Sequence, residues 1–168
     1  QAGVFRHFPA KRDLWLAVAA WVVGEAQRRW EVAGRLNESP LASIKAVVIA
    51  QMEFIQDTPA VSSLIFSREL HAQNEELRQA FLGMADRFYA LLTGLAKCSQ
   101  DSGELSDVIK PEDIASLLLT FTPGLATRWS LGGRSFNLPR RGERLLDIML
   151  TCLPKANRQL REGDHAQA

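Results

Sequence analysis

Residues 39–59 read SPLASIKAVVIAQMEFIQDTP. Leu41, Ile44, Val48, Met52 and Ile55 recur at helical spacing on one face, the period of an amphipathic helix rather than of a strand. The start of that helix is written into its first two residues. Ser39 can accept a hydrogen bond from an orphan N–H of the first turn, and Pro40 takes the first helical position, where a missing N–H costs nothing. The triplet Asp57-Thr58-Pro59 ends the helix and repeats the device, so that Thr58 and Pro59 open a short helix through Leu64, Ile65 and Phe66 to about His71.

The same signs extend in both directions. Upstream, Pro9 precedes Leu14, Val18, Trp21, Val22 and Glu25 at helical spacing, a first long helix that runs to about Leu36. Downstream, Asn74 caps a helix with Glu75 and Glu76 in its first turn, where the helix dipole favours acids, and with Leu77, Phe81, Met84, Phe88, Leu91, Leu92 and Leu95 as its apolar stripe. Residues 99–107, SQDSGELSD, read as a loop. Pro111, Glu112 and Asp113 open a helix through Leu117, Leu118, Phe121 and Trp129, in which Pro123-Gly124 predicts a kink and a released carbonyl at Leu119. After GGRSFNLP the last helix covers about residues 140–153. With no sustained alternation of apolar and polar residues, the expected fold is all-α in one domain.

Leu145, Met149 and Cys152 mark one face of the last helix, and Leu146, Leu150 and Leu153 with Ile148 cover much of another. A monomer buries only one such side. A second copy is the commonest cover for the other, so Leu145, Ile148, Met149 and Cys152 are the expected homodimer contacts.

The 168 residues carry a formal charge of +1, but its distribution is uneven. Residues 1–36 hold six basic groups against three acidic ones and residues 134–168 hold seven against four, which leaves the middle acidic. A basic end on an acidic body suits contact between that end and a polyanion. The longest apolar run, residues 14–23, is far short of the roughly 20 residues of a membrane span, and no cleavable leader is expected; the expected location is cytoplasmic. Cys98 and Cys152 lack CxxC spacing and neighbouring His. They read as structural thiols, with no metal site and no cofactor expected.

FRHFPAKRDL, residues 5–14, resembles the end of the recognition helix and the start of the next helix in TetR-family transcriptional regulators, through His7, Phe8, Pro9, Lys11 and Leu14. TPAVSSLIFSRELH, the loop of residues 99–107 and LLTFTPGLATRWSL followed by FNLPRRGERLLDIML are similar to the ligand-binding and dimerisation region of that family. The resemblance implies a homodimer that binds operator DNA through an N-terminal helix-turn-helix, closes its last two helices into a four-helix bundle with a second subunit, and is released by a small ligand. It divides the chain into residues 1–8, the end of the DNA-binding unit; 9–155, the ligand-binding and dimerisation domain; and 156–168, a polar tail. Most of the helix-turn-helix is expected upstream of Gln1. Phe5 stands where the family usually has Tyr, which removes one phosphate-binding hydroxyl.

The resemblance further implies that Phe5, His7 and Lys11 lie at the DNA backbone, and that a pocket uses large adaptable side chains: Trp21, Met52, Phe66, Phe81, Met84, Phe88, Phe121 and Trp129. Gln51, Arg87, Thr122 and Arg128 are its polar candidates, and an inward guanidinium such as Arg128 would favour a carboxylate. An apolar or aromatic ligand is expected, with Pro123 as the best pointer to the pocket. An enzyme is not expected: His7, His71 and His165 are far apart, and Glu69 and His71, two residues apart on a helix, face different ways. A helical protein-interaction module without a small ligand is the alternative reading.

Overall fold

A computed structural model describes residues 11–35, 37, 39–65 and 67–153, with side chains left out at 11, 61–63 and 68. Among these residues there are helices and no strand: α1 (Lys11–Arg35), α2 (Pro40–Asp57), α3 (Pro59–Ile65), α4 (Arg68–Gln73), α5 (Glu75–Asp101), α6 (Pro111–Leu131) and α7 (Leu138–Cys152). The all-α expectation holds.

Two predicted side-chain caps form, those of Ser39 and Asn74. Ser39 Oγ accepts from the Ala42 N–H, Asn74 Oδ1 from the Leu77 N–H at 3.1 Å, and Pro111 sits in the first turn of α6. Two boundaries differ from the sequence reading. Ser67 accepts from the Leu70 N–H and starts a new helix, so the segment expected to run unbroken from Pro59 to about His71 is two short helices, α3 and α4. The loop expected from Ser99 begins at Ser102, because α5 keeps its ladder to Asp101 and Ser99 is buried with its hydroxyl on the Leu95 carbonyl. That loop is anchored despite its polar sequence. Leu105 is buried, and Gln100 Nε2 donates to the carbonyls of Ser106 and Ile109.

α2 is the central helix. Its buried residues, among them Ser43, Ile44, Val47, Val48, Gln51, Met52, Phe54 and Ile55, occupy far more than the single face read from sequence, as a core helix requires. α1, α5, α6 and α7 all lean on it. Against α7 the approach is close: Leu138, Gly142, Leu146 and Leu150 form a buried stripe at four-residue steps, and a Cβ at Gly142 would overlap Met52 Sδ. Gln56 Oε1 also accepts the Leu138 N–H at 2.8 Å, which ties the start of α7 to α2.

The N-terminus of α2 has a remote partner. Glu104, from the loop after α5, accepts from the Ser39 hydroxyl and from the Leu41 N–H at 3.0 Å. These bonds, that of Ser39 first, hold its carboxyl below the ordinary 4.5.

Two outcomes are expected. Gly142→Ala should lower stability by about 1–3 kcal/mol through overpacking, and by less when introduced with Met52→Ala, as thermal or denaturant unfolding of both pairs will measure. Ser39→Ala should cost about 1 kcal/mol as a lost cap. Because the folded Glu104 carboxyl titrates below its unfolded value, its contribution is complete above about pH 4.5 and is lost as pH falls through the folded value. The gap between Ser39→Ala and the parent should therefore narrow on acidification.

Candidate functional site

A cavity of about 290 Å³ opens among the helices around α2. α1 supplies Trp30, α2 supplies Gln51 and Ile55, and α3 contributes Ile65. α5 adds Met84, Ala85 and Phe88, and α6 closes the wall with Leu119, Thr120, Thr122 and Pro123. The volume lies near the lower end of the range typical of small-molecule sites.

Local sequence explains why the wall has this form. Trp30 continues the buried stripe Ala19, Val22 and Ala26 of α1. Its ring lies on Phe88, centroids 4.6 Å apart, and its indole N–H donates to Gln51 Oε1 at 2.8 Å. This buried bond fixes the amide orientation, because an indole offers only a donor, and it turns the NH2 end of Gln51 away from the indole. On the opposite wall, Pro123 has no N–H to return to the carbonyl of Leu119, although α6 continues through it as one helix to Leu131. Beside it, Thr122 is 3% exposed, and its hydroxyl is the one buried side-chain polar atom of the described residues without a hydrogen-bond partner.

No described lining residue is ionisable: the described wall is Trp, Gln, Ile, Met, Ala, Phe, Leu, Thr and Pro. No group of three or more His, Cys, Asp or Glu among the described residues could hold a metal ion. The strong ionic contacts lie elsewhere. Glu25 of α1 accepts from Arg28 and Arg29, which hold its carboxyl down to about 2, and Arg29 also reaches Asp57 at the end of α2 at 2.9 Å.

Of the side chains expected in a pocket, the cavity takes Met84 and Phe88, together with Gln51 and Thr122 and with Pro123. The other described ones are elsewhere. Trp21 is 54% exposed and lines a separate groove of about 310 Å³ with Trp15 and Val18 of α1, Ala60 and Leu64 of α3, and Leu70 of α4. Met52 is packed on Gly142, Phe81 meets His71 edge-on, and the Trp129 indole donates to the Phe136 carbonyl at 2.9 Å. Phe121 is half-buried against the core and outside the lining. Arg128 and Arg87 are exposed, so the guanidinium expected to face the ligand faces solvent instead. Phe5, His7 and Phe66 lie outside the described residues, and Lys11 is described only as the first residue of α1.

Sequence reasoning did not assign the side chains of Trp30, Ile55, Ile65, Ala85, Leu119 and Thr120 to a pocket. Trp30 carried a usable signal, since it extends the Val22–Ala26 stripe by one more turn. On α7, Leu146 and Leu150 are buried, Leu145 and Met149 half-buried, Ile148 55% exposed and Cys152 exposed.

No protein-family model matches the sequence, and no curated protein matches it. Among solved structures the chain is similar to a transcriptional regulator FadR from Bacillus subtilis, determined in complex with stearoyl-CoA. The likeness covers 91% of this chain and 82% of that one, with a TM-score of 0.75 at 15% identity. At that identity it establishes the shared helical fold. No helix of the described residues is long and apolar enough to cross a membrane.

The Trp30–Gln51 bond makes a direct prediction. Trp30→Phe keeps the ring on Phe88 but leaves a buried carbonyl without its donor, a loss of about 1–3 kcal/mol. The double variant Trp30→Phe with Gln51→Leu should recover part of it, as equilibrium unfolding will register.

Proposed function

We propose that this chain is the sensing part of a ligand-responsive transcriptional regulator, a repressor that a small, largely apolar ligand releases from DNA. The observation that carries the reading is the cavity walled by α1, α2, α3, α5 and α6, in a fold shared with a regulator solved with a ligand bound. In this reading residues 9–155 are the ligand-binding and dimerisation domain, residues 1–8 end the DNA-reading unit, and 156–168 form a polar tail. Phe5, His7 and Lys11 approach the DNA backbone, and Lys11 adds charge beside the α1 N-terminus.

Dimerisation is assigned to the outer faces of α6 and α7. Ile148 and Cys152 on α7 and Leu117 and Leu131 on α6 are exposed, beside half-buried Leu145 and Met149. Two such pairs of helices can bury one another in a symmetric bundle. Ligand action follows from where the cavity lies. Trp30 belongs to α1, the helix that leads from the DNA-binding end, so a ligand wedged between Trp30 and α6 favours a different stance of α1. The equilibrium then shifts toward a dimer whose reading heads no longer match half-sites about 34–36 Å apart.

The test uses the full-length protein and its own upstream DNA. A gel shift should show a complex, lost when Ile148→Glu makes the protein monomeric by sedimentation. A dimer that binds no DNA from that region would remove the regulatory reading, and a monomeric parent would remove the assigned interface.

A further inference from the structure

Thr122 departs from the habit of its neighbours. Several hydroxyls inside these helices donate back to the carbonyl four residues earlier, among them Thr93 to Tyr89, Ser116 to Glu112, Thr120 to Ser116 and Thr151 to Asp147. The Thr122 hydroxyl has no such bond, although it is as helical as they are and more deeply buried. A buried polar group left unsatisfied is costly, and such exceptions in a native protein call for an account. The account here is its place, since Thr122 lines the cavity while the hydroxyl of Thr120, in the same wall, is already engaged.

We infer that Thr122 is the polar handle of the cavity, and that its ligand is a neutral, mostly apolar molecule with one carbonyl or hydroxyl oxygen that hydrogen-bonds to Thr122 Oγ1. The inference rests on the reading of the cavity as the sensing site and adds the class of ligand. Size follows from volume: about 290 Å³ is roughly twice the ~150 Å³ apolar cavity that holds one benzene, or about a dozen non-hydrogen atoms. Neutrality follows from the wall, where no Lys, Arg or His stands among the described lining residues to offset the desolvation of an anion. A ligand carbonyl is suited to Thr122, whose hydroxyl can donate.

Titration calorimetry on this chain tests the inference with matched neutral, apolar and anionic probes in two frames: 1-tetralone, tetralin and tetralin-1-carboxylate, and 2-decanone, decane and decanoate. In at least one frame the ketone should bind about tenfold tighter than the hydrocarbon, the net worth of one hydrogen bond, and the carboxylate should bind at least tenfold more weakly than the ketone. Thr122→Val, which keeps shape and removes the hydroxyl, should abolish the advantage of the ketone and leave hydrocarbon affinity unchanged; Thr122→Ser should retain it. Unliganded Thr122→Val should melt no lower than the parent, since it deletes an orphaned group. A lower melting point, a ketone preference that survives Thr122→Val, a carboxylate that binds as well as the ketone, or no binding in either frame would each overturn the inference. Ketone binding with no effect on the DNA complex would leave the inference standing and remove the regulatory reading. DNA release by an anionic ligand, with no dependence on Thr122, would do the reverse.

Discussion

The burial of α2 is the constraint on which the other helices depend. An 18-residue helix with apolar side chains around most of its circumference is stable only when it is wrapped, and α1, α5, α6 and α7 provide the wrapping. Each contact is specified differently. α1 is held by the Trp30–Gln51 bond and by the Arg29–Asp57 ion pair, α7 by the Met52–Gly142 approach and the Gln56 bond to its first turn, and the loop after α5 by Glu104 at the α2 N-terminus. The apolar contacts dominate the energy, because non-directional burial scales with area, whereas an ion pair near solvent contributes little. The polar contacts select one arrangement among the many that would bury the same surface.

How much of this was legible in the sequence depends on the range of the interaction. Ser39 and Asn74 were readable because a cap is a bond across three residues, and Pro40 and Pro111 because a proline in the first turn forgoes no helical bond. The break between α3 and α4 was hidden, since Ser67 inside an amphipathic run gives no sign that its side chain will bond to its own backbone. The bond from Glu104 to Ser39 spans 65 positions and has no local trace.

The cavity shows a different limit. Large apolar side chains occur wherever helices meet, so size marks a junction without distinguishing a filled one from an open one. Met52, Phe81 and Trp129 belong to filled junctions, and Met84 and Phe88 to the open one. Polar residues were more informative. Gln51 and Thr122 have side chains too short to reach water from where they stand, whereas Arg87 and Arg128 can carry their charge out to water along apolar stems. Pro123 lines the cavity on a stretch of α6 that runs through it as one helix.

Gln51 and Met52 are consecutive in sequence and so stand about 100° apart around the axis of α2. One borders the cavity and the other fills the socket at Gly142 on α7. A side chain in a socket with no slack cannot slip, so a roll of α2 that displaces Gln51 must swing Met52 against the outer helix. The two sides of the protein are thus geared through a single shaft, and Gly142 is the tooth space that keeps them in mesh.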